Sequence, residues 1–462
     1  MTLHHRGKQL ILLIGDLTSY LFAFWFSLAL RYREVPDTTL IDKHLSMFLG
    51  LFFIWIVINF INGLYDQKVL GNSKEFYQRM GESASIVFLV SIVFFYLMPK
   101  TAITPKTILL LNVVFGYTIS ALWRFLYNTV IGDTRLQTSV MIIGYTSETK
   151  ELLHILATQK TGYQAKVLID PSNESRAEDF PNTDIYRRLE AIRPSITTHA
   201  IQLVIVSPNL RNQGGVIREL YELLFWPVQM SDAITFYEII TGRIPPSTFS
   251  ESWFLDHLRV DEYRLYNTIR AMIDYVFGIL LMGICVALFP LVAILVKTSS
   301  RGPLFIKQKR VGKAGQSFFL YKFRSMYALS ADGSAETKGV QFAIKGDPRV
   351  TPIGKWLRKT RLDELPQAWN LLKQDITLVG PRPERPEIVK ELEINMPYYS
   401  LRHMVRPGLT GWAVLHQNYT DTMETSLQKL QYDLYYIKNR SLLLDLSILL
   451  RTVNVVVRLK GQ

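Results

Sequence analysis

A chain of 462 residues is too long for one ordinary domain, and 48% apolar content beside 20% charge fits neither a wholly soluble nor a wholly membrane-embedded protein. The net charge of +13 suits anionic lipid, phosphorylated substrates or nucleic acid equally. The single cysteine, Cys285, excludes an intrachain disulfide and leaves no basis for a zinc–thiolate cluster. It stands in an apolar run and reads as a small buried hydrophobe.

Residues 9–30 are apolar and long enough to cross a bilayer. No small-residue cleavage site follows them, so they read as a retained helix rather than a signal peptide. Asp16 lies inside. An intramembrane carboxylate is a functional candidate by default, but beside Thr18 and Ser19 it reads as facing a neighbouring helix. Further spans fit 45–64, 83–98 and 108–130, the third short and ended by Pro99. Together they predict a four-helix transmembrane bundle over 1–131, with aromatic residues crowding the helix ends. Arg6 and Lys8 place the N-terminus in the cytoplasm by the positive-inside rule, while Lys100 and Lys106 in the opposite loop pull the other way.

The pattern then changes. Residues 139–144, 165–170 and 201–207 read as strands, and 148–158 and 215–225 as helices. This alternation predicts a small parallel α/β domain within 132–250. A dinucleotide site would need G-x-G-x-x-G after the first strand. The turn here, Gly144-Tyr145-Thr146-Ser147-Glu148, has one glycine, so the domain reads as structural or regulatory. Residues 233–266, with Gly242 and Pro245-Pro246, show turn chemistry rather than a core pattern, and 251–267 read as a connector.

Residues 271–296 are apolar except Asp274, with Pro290 two-thirds along. On the residues alone, a kinked fifth span and a helix that enters and leaves on one side are both open. A basic run follows: Lys297, Arg301, Lys307, Lys309, Arg310, Lys313, Lys322 and Arg324. Directly after a membrane segment it favours anionic headgroups, at about 1 kcal/mol per basic residue. Interleaved Phe318, Phe319, Tyr321 and Phe323 raise nucleic acid as a rival, but the membrane supplies a nearer polyanion, so no nucleic acid partner is expected. Residues 328–339 read as a mobile loop. Residues 442–460 are amphipathic with basic residues towards the end, as suits a helix lying in the interface.

The densest chemistry lies in 358–383. An adjacent carboxylate pair, Asp363-Glu364, follows Arg358, Lys359 and Arg361, and a Pro-Arg-Pro turn, Pro381-Arg382-Pro383, closes the stretch. Carboxylates beside fixed cations suit work on a phosphate. Helical neighbours point about 100° apart, so the pair would divide two roles rather than chelate together. A solvated helix start, where acidic residues are favoured, is the plainer reading.

R-L-D-E-L-P-Q-x-x-N-x-L followed by L-V-G-P-R-P resembles the core of the bacterial sugar transferases, monotopic enzymes that load a sugar phosphate onto a polyprenyl phosphate. Gln308–Gly312, Tyr321–Met326, Asp347–Thr351, Arg406–Trp412 and Tyr432–Tyr436 agree, in the family's order, and the resemblance covers roughly 268–460, within a catalytic domain expected over 268–462. It implies a Rossmann-like domain ahead of an α-rich catalytic domain with interfacial amphipathic helices. Helix 271–296 would be re-entrant and break at Pro290. It implies a bacterial inner-membrane enzyme with its catalytic part on the cytoplasmic face. A nucleotide sugar, UDP-linked by expectation, would give its sugar 1-phosphate to undecaprenyl phosphate, the first membrane step of exopolysaccharide, capsule or O-antigen synthesis. Asp363 would be the nucleophile, forming an aspartyl-phosphosugar intermediate, and Glu364 would hold Mg²⁺. Arg358, Arg361, Arg382, Arg310, Lys322 and Arg324 would bind phosphate or nucleotide, with Pro290, Pro381 and Pro383 shaping the site. A homodimer is compatible with this reading. Where many members read G-W-A-Q-V-N-G-R, this chain reads Gly411-Trp412-Ala413-Val414-Leu415-His416-Gln417-Asn418, which leaves the sugar open. Two rivals make distinct predictions: a membrane-anchored nucleotide-sugar dehydratase or epimerase would carry NAD on the α/β domain, and a non-catalytic scaffold would transfer no label to lipid.

Overall fold

The computed structural model describes residues 3–65, 74–97, 106–130, 137–159, 161–211, 214–258, 264–329, 347–417 and 422–457. Two compact units divide the chain between Thr241 and Gly242.

The first unit opens with four long helices, α1 (Leu3–Tyr32), α2 (Thr38–Ile61), α3 (Lys74–Leu97) and α4 (Lys106–Val130). Asp37 caps α2, accepting from the Leu40 amide at 2.8 Å. Each helix carries an apolar stretch long enough to cross a membrane. The third, expected to be short, starts nine residues earlier than the apolar run suggested, at Lys74. Asp16 is fully buried and accepts from Arg124 Nε at 3.0 Å, Ser120 Oγ at 2.6 Å and Tyr65 Oη at 2.8 Å. It therefore faces neighbouring helices, as expected, and its partner cation is on α4. Helices α1 and α4 meet so closely at Gly15 that a Cβ there would lie 1.9 Å from Trp123 Nε1.

The same unit holds a five-stranded parallel sheet. Its strands are β1 (Thr138–Ile143), β2 (Tyr163–Ile169), β3 (Asp184–Tyr186), β4 (Leu203–Val206) and β5 (Gln229–Asp232), in the order β3-β2-β1-β4-β5. Helices α5 (Ser147–Thr158), α6 (Ile192–Thr198), α7 (Pro208–Arg211), α8 (Gly214–Glu222) and α9 (Ala233–Thr241) connect and follow them. The central strands are buried on both faces, as a parallel sheet requires. Gly144 has φ +99°, and a Cβ there would sit 2.7 Å from Ser207 Cβ. Packing against β4 is reason enough for that glycine. β3 and β5 escaped the sequence reading because they are short, partly exposed edge strands without the buried apolar run that marks the equally short β4.

The second unit contains α10 (Glu251–His257), α11 (Arg264–Ser299), the antiparallel hairpin β6 (Phe305–Val311) and β7 (Ser317–Phe323), α12 (Pro352–Thr360) and α13 (Ala368–Leu372). β8 (Thr377–Val379) follows and pairs in parallel with β9 (Gly408–Thr410); α14 (Pro386–Asn395) lies between them, and α15 (Trp412–His416), α16 (Met423–Lys438) and α17 (Leu442–Val457) complete the chain. Residues 233–266 are not the coreless connector expected. Phe236 and Tyr237 of α9 are buried in the α/β core, and Ile244, Phe254 and Leu258 join the core of the second unit. The loop expected at 328–339 lies outside the described residues from 330 onward.

Along α11, one stripe faces the second unit at nearly every turn. Tyr266 donates to Asp445 at 2.7 Å, Arg270 to Thr377 Oγ1 at 2.6 Å, and the Leu378 amide donates to Asp274 at 2.9 Å. A Cβ at Gly278 would meet Leu372 at 2.8 Å, and Cys285, Val292 and Val296 pack with Phe323 and Leu357. The other faces stay exposed and apolar, including Met272, Val276, Ile279, Leu280, Val286 and Ile294.

Candidate active site

Three local devices bring the carboxylate pair to the β6–β7 hairpin. Thr351 caps α12, accepting from the Gly354 amide at 2.9 Å, with Pro352 in the first turn. Gly354 lets the helix lie against the end of β7, where a Cβ would fall 1.8 Å from the Ser325 carbonyl oxygen. Arg361 then ends α12 in the left-handed conformation, φ +59°, a cost of about 1–2 kcal/mol for a non-glycine residue. The chain re-forms at once as a 3-10 turn, Leu362–Gln367, rather than the α-helix start expected for Asp363 and Glu364. Asn370, fully buried, ties this region to the hairpin by donating to the Phe319 carbonyl at 2.7 Å and accepting from the Tyr321 amide at 3.1 Å.

The two carboxylates diverge. Glu364 Oε1 accepts from Lys322 Nζ at 3.0 Å and lies 3.6 Å from Arg382 Nη2, while Oε2 faces Arg361 Nη1 at 3.4 Å. Burial opposes ionisation of Glu364, but Lys322, Arg382 and Arg361 together hold its carboxyl well below the usual range. Asp363 is 6% exposed and its Oδ1 has no hydrogen-bond partner. Burial, then the charge of Glu364, pushes its carboxyl above the usual Asp range, against the pull of Lys322, Arg358 and Arg361. A buried carboxylate oxygen without a donor keeps its lone pairs for another electrophile. Beside them opens a narrow cavity of about 20 Å³, lined by Arg310, Lys322, Glu364, Gln367, Arg382 and Pro383 among others. Asp363 is not one of its walls. The larger cavity, about 510 Å³, belongs to the α/β domain at Tyr145–Ser147 and Lys150, far in sequence from these groups.

The profile of the bacterial sugar transferase family matches residues 265–459. The chain is 41% identical over 225 residues to the UDP-N-acetylgalactosamine-undecaprenyl-phosphate N-acetylgalactosaminephosphotransferase of Aeromonas hydrophila, 47% of this chain and 50% of that one. It is 38% identical over 209 residues to the UDP-glucose:undecaprenyl-phosphate glucose-1-phosphate transferase of Xanthomonas campestris, 44% of this chain and 41% of that one. A Caulobacter vibrioides protein of the same name is 38% identical over 186 residues, 40% of this chain and 68% of its own. The chain belongs to the bacterial sugar transferase family. It spans half or less of the length of the first two of these relatives.

In this bacterial sugar transferase family member, the predicted phosphate-binding residues separate into groups. Lys322, Arg361 and Arg382 surround Glu364. Arg310 lines the cavity and donates to the Pro383 carbonyl at 3.2 Å. Arg358, in the last turn of α12, acts on Asp363 through its charge. Arg324 stands elsewhere, buried at the end of α11, where Nη2 donates to the Ser300 carbonyl at 2.6 Å. Strand β7 ends at Phe323, so the alternation that would align Arg324 with Lys322 no longer applies. Pro290 lies inside α11, and Pro381 and Pro383 flank Arg382. Sequence reasoning gave no role to Asn370, although it stands in the quoted motif, because a buried asparagine on a short helix bonded to a strand has no spacing signature.

The fit of a divalent ion follows from the donor set. Among the described residues no group of three or more His, Cys, Asp or Glu could hold a metal. An ion arriving alone at Glu364 would meet three cations. One arriving on a diphosphate brings its own anions and needs only one or two protein oxygens, which Glu364 can supply.

Proposed function

We propose that this protein transfers a sugar 1-phosphate from a nucleoside diphosphate sugar, UDP-linked as in its relatives' names, to undecaprenyl phosphate. The observation that carries the reading is the buried Asp363, whose Oδ1 has no hydrogen-bond partner, directly beside a Glu364 ringed by Lys322, Arg361 and Arg382, within the stretch that matches the family. Asp363 attacks the phosphorus that bears the sugar. The bond to the nucleoside monophosphate breaks, and an aspartyl-phosphosugar forms. A phosphate oxygen of the polyprenyl acceptor then attacks the same phosphorus and releases Asp363. One difficult displacement becomes two easier ones. Lys322, Arg361 and Arg382 hold the anionic oxygens, Arg382 as a planar fork from its turn. Because the cavity is narrow, the donor has to part these side chains from Glu364 on entry. Mg²⁺ bound through Glu364 would neutralise diphosphate charge.

The remaining expectations belong to the same reading. Helices α1–α4 form a transmembrane bundle in the bacterial inner membrane, and the catalytic unit lies on the cytoplasmic face, where nucleotide sugars are made. Helix α11 runs from Arg264 to Ser299 without the break expected at Pro290, and in this reading it enters the membrane and keeps both ends on one side. What supports this is its stripe of contacts with the second unit from Tyr266 to Val296. A helix crossing the bilayer would draw the elements packed along it, including the polar backbone at the end of β7 and the start of α12, into hydrocarbon.

A donor panel with undecaprenyl phosphate, scored by released nucleoside monophosphate and by label in lipid, tests the function. A UDP-sugar should give both products in equal amounts; neither product from any donor rejects it. For the metal, Glu364→Gln should weaken Mn²⁺ binding in the presence of nucleotide, read by electron paramagnetic resonance. Unchanged binding removes Glu364 from that role.

A further inference from the structure

The Pro381-Arg382-Pro383 turn is held by more than its prolines. Four consecutive carbonyls are gripped from outside. The Gly408 amide donates to Pro381 O at 2.9 Å, Arg402 Nη2 to Arg382 O at 2.8 Å, Arg310 Nη1 to Pro383 O at 3.2 Å and the Val311 amide to Glu384 O at 2.9 Å. Arg402, on the 3-10 turn Tyr399–Met404, is 2% exposed. Its Nη2 lies 2.8 Å from Asp433 Oδ2, and Nη1 donates to the Tyr399 hydroxyl. One turn earlier on α16, Lys429 donates to Glu384, which also faces Arg310 at 4.0 Å. Neither Arg402, Asp433 nor Lys429 lines the cavity or touches Glu364.

A buried charge network of this kind is a weak stabiliser, since apolar residues of the same volume hold a core as well. Its effect here is directional. The peptide between the two prolines is the one from which the Arg382 guanidinium leaves the turn, and its carbonyl is fixed by a second guanidinium. We propose that Arg402 is a positioning residue for phosphoryl transfer: by holding the Arg382 carbonyl it sets the line along which Arg382 meets the donor diphosphate, and Asp433 sets Arg402 in turn. The proposal rests on the transfer reading above. A network that merely joins α16 to the hairpin would make the same bonds, so the test has to separate aim from stability.

The test is a double-mutant cycle on the full-length protein in lipid discs, with undecaprenyl phosphate and the radiolabelled donor that the wild type turns over best. Arg402→Lys keeps the charge but loses the planar fork. It should lower kcat/KM for the donor by about tenfold to a hundredfold and leave KM for undecaprenyl phosphate within about twofold. Once Arg382→Ala is present, adding Arg402→Lys should cost less than about twofold more, because the residue it aims is gone. Losses that multiply across the cycle, or a wild-type kcat/KM in Arg402→Lys, overturn the proposal. Melting temperature reports the fold of each variant. If Arg402→Lys does not fold, Asp433→Asn, which keeps the shape, replaces it in the same cycle under the same criteria. A wild type that uses no donor overturns the transfer reading and the positioning role with it. An active wild type with a multiplicative cycle overturns the positioning role alone.

Discussion

Asp363 and Glu364 are neighbours in the chain and opposites in charge environment. Glu364 is ionised because cations surround it; Asp363 is harder to ionise because burial and Glu364 act on it together. Asp363→Asn removes the attacking charge while keeping the shape. Turnover should fall by about a thousandfold or more with the melting temperature preserved, and ordinary turnover in that variant would reject the nucleophile. The pH profile gives an independent reading. If attack needs ionised Asp363, kcat/KM falls as pH drops through its raised pKa. Lys322 lowers that pKa, so Lys322→Met should move the acid limb to higher pH; a limb that stays put or moves down would place the titrating group elsewhere.

Helix α11 shows how far a sequence can be read. Its apolar run, its length and Pro290 were all visible, and so was the ambiguity between crossing and returning. The stripe that decides its partners was not visible, because Tyr266, Arg270 and Asp274 are defined by what they meet on β8 and α17, more than 100 residues away. The same limit hid Asn370 and Arg402. By contrast the α/β domain was legible through its buried central strands, while the partly exposed edge strands and helices α6 and α9 were lost. For α11 the expectation is that cysteines at Ile269 and Lys297, placed in a Cys285→Ser background, are labelled by an impermeant reagent from the same face of the membrane. Labelling from opposite faces would make α11 a fifth span.

The division at Thr241/Gly242 separates every residue given a chemical role from the four long apolar helices and the parallel sheet. A chain beginning at Gly242 should therefore still release nucleoside monophosphate from the cognate donor in lipid discs. A chain beginning at Asp261 would lose Ile244, Phe254 and Leu258 from the core of the second unit. At about 1.5–3 kcal/mol for each buried side chain, that loss is enough to unfold a marginally stable domain. A well-folded Gly242 chain without activity, restored by adding the missing unit in trans, would show that part of the active site lies before residue 242.

The Asp16–Arg124 pair also has a consequence for biogenesis. Its two members are 108 positions apart in the chain. At about 5–20 residues per second of translation, the carboxylate leaves the ribosome on the order of 5–20 s before its cation exists. During that interval α1 holds a polar group that hydrocarbon disfavours. If α1–α4 form the transmembrane bundle proposed above, α1 cannot settle in its final place until α4 brings Arg124 to the carboxylate.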